Sequence, residues 1–230
     1  MAGFYFTIKE YPMHLVMFDV DGTLCDTYDI DEKIYFQAVK DILEIEPPES
    51  LINFTHRTDP GILTEMVMNS FERNVTTKEY NAVRDHFSDV LMDHLMEDPT
   101  LSRETSGALK LFNALKDTPD VIVAIATGGW GPTACFKLAT AGFEIEKIVM
   151  ASSDDDFDRV EIMKICHDRA KTRAKVQKFD SITYVGDGEW DEAATAALNW
   201  RFIGVGERIK DTKNWIADFT KVKPDYFFGK

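Results

Sequence analysis

Cysteine is scarce in this chain. Cys25, Cys135 and Cys166 are far apart and odd in number, which argues against a disulfide framework and suits the reduced thiols of a cytoplasm. Long apolar runs are missing too. None approaches the roughly 18 residues that a membrane span requires. The first residues carry no basic stretch ahead of an apolar one, so no secretory signal is expected. Basic charge is in deficit: 26 Lys and Arg stand against 40 Asp and Glu, a net charge of −14 at pH 7. That balance excludes a general nucleic-acid surface. It also repels anionic ligands at long range, so an anion site needs a local cation or metal. There is no internal repeat and no low-complexity segment. The expectation is a cytoplasmic monomer or homodimer that binds neither nucleic acid nor membrane.

What is present is a chain of 230 residues, 44% hydrophobic, enough for one large domain or a core with a smaller insert. Short apolar runs, strongest at 14–19, 121–126 and 181–185, read as strands buried on both faces, and residues 145–150 and 201–205 as two more. Helical spacing fills the intervals, over 106–116, 133–141, 160–176 and 192–198. A helix over 213–219 and a closing strand over 226–228 complete the pattern. Alternation of this kind implies parallel βαβ crossovers and a doubly wound α/β sheet. Residues 27–98 differ. They hold only helices, over 27–46, from Asp59-Pro60-Gly61 to Glu72, and from Thr77 to Glu97, the last capped by Thr76 or Thr77; residues 51–57 have no clear period. This stretch reads as an inserted helical domain with a return hinge at Asp98-Pro99, leaving 1–26 and 99–230 as the α/β core. Residues 1–13 read as an extra edge strand or a loose arm.

The first strand stops at Asp19, and Asp21, Gly22 and Thr23 follow. Carboxylates at i and i+2 converge on one site only if the backbone curls, which Gly22 permits. Such a pair can supply a nucleophile and a proton donor or acceptor. A bound cation of the Mg²⁺ type would offset their repulsion. The ends of parallel strands share one sheet edge, where open α/β sheets bind ligands. That edge collects Asp19 and Asp21 from the first strand. The second contributes Thr127 with the Gly128 and Gly129 amides, a hydroxyl and close-approaching N–H groups suited to phosphate. The polar loop after the third ends at Arg159, and the fourth gives Asp187 and Asp191, four apart and therefore co-facial on a helical turn.

These stretches resemble, in order, the four motifs of the haloacid dehalogenase superfamily: Asp19-Val20-Asp21-Gly22-Thr23, Thr127, Arg159, and Gly186-Asp187 with Asp191. The third departs from the usual lysine, although some branches resemble this chain in using arginine. Lys164, Lys175 and Lys178 are its rivals. The resemblance implies a Rossmannoid core with a helical cap over 27–98, as in the phosphoglycolate phosphatase-like and β-phosphoglucomutase-like branch. It implies Asp19 as nucleophile and Asp21 as general acid/base. Thr127, Gly128 and Arg159 would hold phosphate. Asp19, the Asp21 carbonyl and Asp187 would hold Mg²⁺, with Asp191 in support. The implied activity is Mg²⁺-dependent hydrolysis of a small phosphorylated metabolite through an aspartyl-phosphate. The alternatives are a phosphomutase of the same branch and a non-catalytic binding protein.

His56 and Arg57 are candidates for touching the leaving group, against a solvated cap surface. Trp130 either lines the cleft or packs in a core. Cys25, His14, His86, His94 and His167 are read as structural or surface residues.

Overall fold

The computed structural model describes residues 13–48 and 54–228. The arm expected over residues 1–13 lies, apart from Met13, outside the described residues, as do residues 51–53.

Strand β1 (His14–Phe18) is buried almost throughout. Its alternate side chains serve two cores. Leu15 and Met17 face one cluster, while Val16 and Phe18 face the other. Burial of each such side chain contributes about 1.5–3 kcal/mol. After a two-residue strand β2 (Cys25–Asp26) come three helices, α1 (Tyr28–Leu43), α2 (Asp59–Phe71) and α3 (Thr77–Glu97). The chain returns through β3 (Arg103–Glu104), antiparallel to β2. It then alternates: α4 (Ala108–Lys116), β4 (Val121–Ala126), α5 (Gly131–Thr140), β5 (Val149–Ala151), α6 (Arg159–Ala174), β6 (Ser181–Gly186), α7 (Glu189–Ala197), β7 (Arg201–Val205) and β8 (Trp215–Ile216).

Six strands form one parallel sheet in the order β5-β4-β1-β6-β7-β8, the doubly wound architecture expected from the alternation. Helices α4 and α5 cover one face with Leu111, Phe112, Leu115 and Leu138, and α6 covers the other with Ile162, Met163 and Cys166. Phe18 pairs in register with Ile125 of β4 and Val185 of β6. The central strands therefore end at one level, which brings Asp19, Thr127 and Asp187 to the same edge. The switch point of the strand order, where β1 has β4 on one side and β6 on the other, lies there.

The three inserted helices have their own core, in which Tyr35, Leu63, Val83, Phe87 and Leu91 pack with Trp130. Helix α3 begins with a reciprocal capping box. Thr76 accepts from the Glu79 amide, and Glu79 accepts from the Thr76 amide, which satisfies two otherwise orphaned donors.

Two expectations fail near the chain end. No helix forms over 213–219. Instead Trp215 and Ile216 add a strand beside β7, because that strand's open edge recruits the segment and the Trp215 indole donates to the Gly206 carbonyl at 2.7 Å. Nor is 226–228 a strand. Pro224 opens a 3₁₀ turn through Phe228, and β8 already occupies the edge. Phe227 is buried beside Phe18, with ring centroids 6.1 Å apart. The β2–β3 ribbon was not anticipated.

Candidate active site

At the end of β1 the chain curls back on itself. The Val20 carbonyl accepts from the amides of Thr23, Leu24 and Cys25 at 2.9–3.2 Å. Gly22 takes φ +74°, and a Cβ there would stand 2.1 Å from Asp187 Oδ2. Glycine is favoured there, because that backbone region strains a side chain and the neighbouring carboxylate stands in its way. The curl brings Asp19 and Asp21 into the lining of one cavity of about 90 Å³, the volume of roughly three waters. Asp19 is buried. Burial pushes its carboxyl above the ordinary range, opposed by the Arg159 cation, the Val20 amide and the Thr127 hydroxyl.

Thr127, Gly128, Gly129 and Arg159 line the same cavity. Arg159 opens α6, whose N-cap Asp158 accepts from the Val160 amide at 2.8 Å. Its guanidinium lies 3.4 Å from Asp19 Oδ1 and 2.8 Å from Asp191 Oδ1, and it donates to the Arg57 carbonyl at 3.0 Å. Its buried Nε–H has no partner. A side chain on Gly128 would collide with this guanidinium at 2.3 Å. The Gly129 amide is already spent on the Thr127 hydroxyl at 3.2 Å. The rival lysines lie elsewhere: Lys164 pairs with Glu161 on the surface, Lys175 is the left-handed C-cap of α6, and Lys178 is exposed.

Carboxylate oxygens of Asp19, Asp187 and Asp191 lie within 4.8 Å of one another, all buried. Asp191 is spoken for by Arg159 and by the Gly188 amide at 3.2 Å. Asp187 gives one oxygen to Arg208 at 2.8 Å, and its other oxygen is buried with no partner. Burial and the neighbouring Asp191 and Asp19 push the Asp187 carboxyl well up, and burial takes that of Asp191 to about 7. Repelling hard-oxygen donors with one orphaned oxygen are a donor set that fits a Mg²⁺-type cation. Asp19 and Asp187 could offer oxygens to such an ion, whereas Asp191 is engaged by Arg159 and the Gly188 amide.

Sequence reasoning missed what stands behind Asp21. Lys137 of α5 is only 1% exposed. Its ammonium lies 2.6 Å from both oxygens of Asp21 and 2.6 Å from Asp31 of α1. The Thr27 hydroxyl donates to Asp21 Oδ1 at 2.5 Å. Burial raises Asp31 to about 6 despite Lys137. It raises Asp59 well above the ordinary range, with repulsion from Asp31 adding to it. One signal was present: Lys137 is the only charged residue between Asp120 and Glu144. Among the open candidates, Arg57 lines the cavity, its guanidinium 4.2 Å from the Trp190 ring centroid. His56 instead packs edge-on against Phe157. Trp130 is a packing residue: fully buried among Tyr35, Tyr80 and Phe87, it donates its indole N–H to Tyr80 at 2.8 Å. Its backbone N–H donates to Asp59 at 2.9 Å, which fastens α2 to the β4 turn. Cys25 is buried, and burial takes its thiol to about 12.

Residues 13–199 match the family model of the haloacid dehalogenase-like hydrolases. No curated protein sequence matches the chain. Solved structures share its fold. A hydrolase from Pseudomonas syringae is 18% identical with TM-score 0.69, the match covering 91% of this chain and 94% of that one. A family IA, variant 3 hydrolase from Entamoeba histolytica is 17% identical with TM-score 0.68, covering 94% and 98%. A mutant of CbbY from Rhodobacter sphaeroides, in complex with xylulose-(1,5)bisphosphate, is 15% identical with TM-score 0.65, covering 91% and 96%. Among the described residues no helix is long and apolar enough to cross a membrane.

Proposed function

The chain belongs to the haloacid dehalogenase-like hydrolases, and from that premise we propose that it is a phosphatase of small phosphorylated metabolites that works through an aspartyl-phosphate. One observation carries the reading. Asp19 and Asp21 face a single cavity together with Thr127, Gly128 and Arg159. Hydrolytic dehalogenation needs only the first acid, whereas expulsion of an alkoxide from phosphorus calls for a second acid two residues on.

In this reading Asp19 attacks phosphorus in line. The phosphoryl oxygens meet the Thr127 hydroxyl, the Gly128 amide and Arg159, which offset the charge spread over them. Asp21 gives a proton to the departing oxygen and then takes one from the water that hydrolyses the intermediate. A magnesium ion held by Asp19, the Asp21 carbonyl and Asp187, braced by Asp191, would supply neutralisation of the phosphate and of the acidic cluster. The helices of residues 27–98 act as a cap over the core formed by 1–26 and 99–230. They enclose the cavity with Tyr28, Tyr35 and Arg57 and exclude water.

The test is phosphate release from a panel of small esters by wild type and Asp19→Asn, with and without Mg²⁺. Release that needs Mg²⁺ and vanishes in the variant is expected. Equal release by a folded Asp19→Asn protein refutes the nucleophile. A requirement for a bisphosphate activator would turn the reading toward a mutase.

A further inference from the structure

We propose that Lys137 is a positioning residue that fixes the direction of the Asp21 carboxylate toward the leaving group; the inference rests on the phosphatase reading above. An ammonium has three N–H donors. In Lys137 they meet three carboxylate oxygens, two on Asp21 and one on Asp31, each at 2.6 Å. The lysine side chain is sealed from solvent, while its two carboxylate partners are 16% exposed toward the cavity, so the ion pair is screened less than one on the surface. Thr27 adds a third contact to Asp21. Asp21 is therefore held at both oxygens, while the cavity side remains free for substrate.

The alternative is a buried ion pair that serves folding alone. The geometry argues otherwise. A lysine needed only to hold α5 against the sheet could be an apolar residue like its neighbours Ala134 and Leu138, and well-packed apolar replacements of buried ion pairs are often neutral or stabilising. This ammonium binds the one acid that must meet the leaving oxygen. It also joins that acid to Asp31, on the first helix over the cavity. The direction of Asp21 is thereby tied to the seat of α1.

The experiment compares wild type, Lys137→Met, Asp21→Asn and the double variant on two esters, an alkyl phosphate and p-nitrophenyl phosphate, after thermal melts establish folding. Loss of orientation should reduce kcat for the alkyl ester by about 10²-fold, the usual scale for a misplaced catalytic group. The p-nitrophenyl ester, whose leaving group needs little protonation, should lose less than about fivefold, as general acid catalysis requires, and KM should hold within about threefold for both. In the Asp21→Asn background, Lys137→Met should add little, because the two residues act as a unit. Equal losses on both esters, or multiplicative losses in the double variant, overturn the inference while leaving the phosphatase reading intact. A wild type that releases phosphate from no ester overturns both. If Lys137→Met does not fold, Asp31→Ala is read by the same ratio, since it removes one of the three contacts and leaves the ammonium paired with Asp21. An unchanged ratio there counts against the inference.

Discussion

Gly22 and Gly142 make a matched pair for testing whether the β1 turn is shaped for chemistry. Both sit at positive φ, +74° and +91°. A Cβ on Gly142 would find Leu109 at 3.5 Å, an ordinary contact, whereas one on Gly22 would find Asp187 Oδ2 at 2.1 Å and its Cγ at 2.6 Å. The left-handed backbone alone costs an alanine about 1 kcal/mol, which lowers Tm by roughly 2–4 °C in a chain of this size. Gly142→Ala should show that loss and keep its hydrolytic rate within about twofold, since it perturbs nothing near the site. Gly22→Ala carries the same strain and must also push the Asp187 carboxylate back by more than 1 Å to reach the ordinary 3.4 Å contact. That retreat breaks the pair with Arg208, which is 40% exposed on the arginine side. Solvent screening limits the pair to about 1 kcal/mol. The total is about 2 kcal/mol and roughly 4–8 °C by the same conversion. The rate should suffer far more, by about 10²-fold or worse, because a displacement of about 1 Å at a reacting centre has that effect. Thermal melts and Mg²⁺-dependent phosphate release on the two variants decide it. Equal Tm losses together with equal rates would refute both the proposed metal role of Asp187 and the reason given for Gly22.

Other perturbations read other parts of the site. Trp130→Ala should destabilise by about 3–5 kcal/mol, the range for emptying an aromatic core position, and Trp130→Phe by less, through the lost bond to Tyr80 and a smaller cavity, both read from urea midpoints. Asp31 has its folded pKa raised from 3.8 to about 6. The folded state thus holds the extra proton between those values, and wild-type stability falls as pH rises through that window, then levels. Asp31→Asn lacks this slope, so its stability relative to wild type should climb between pH 4 and pH 6 (chemical denaturation at fixed temperature); a flat difference would contradict the burial assigned to Asp31. Cys25 and Cys166, both with thiols raised to about 12 by burial, should resist alkylation at pH 8 in the native protein while half-buried Cys135 reacts first, as peptide mapping would reveal.

The parallel sheet was legible because its central strands are apolar on both faces and each ends in chemistry. His14–Phe18, Val121–Ala126 and Ser181–Gly186 needed no tertiary information to find. Once they are placed side by side, Asp19, Thr127 and Asp187 share an edge by geometry alone. Arg159 could be preferred to Lys164 because it stands at the start of its helix, nearest that edge. Illegible elements were those made by partners rather than pattern. Two-residue strands such as Cys25–Asp26 have no period to read. Trp215–Ile216 is a strand only because β7 offers an edge, and Phe227 turns inward because the Thr183 hydroxyl donates to its carbonyl at 2.7 Å and Phe18 packs on its ring.

Acids on the inserted helices were hidden for a related reason. Asp31 and Asp59 stand in first turns of helices, where an acid is ordinary dipole chemistry, so nothing in their local sequence distinguishes a solvated carboxylate from a buried one. Their burial makes sense only with Lys137, and its significance only with Asp21. Taken together these groups bear on how a chain of net charge −14 would present the anion site of the proposed function. Asp19, Asp187 and Asp191 face the guanidinium groups of Arg159 and Arg208, and Asp21 and Asp31 face the Lys137 ammonium, while Glu32, Arg57 and Asp59 also line the cavity. An orphaned Asp187 oxygen among these acids supports a divalent cation as the complement of the proposed site. Without it the dianionic phosphate of the proposed reaction would enter a cavity rich in carboxylates, with Arg57 and Arg159 as its lining cations, at an electrostatic cost.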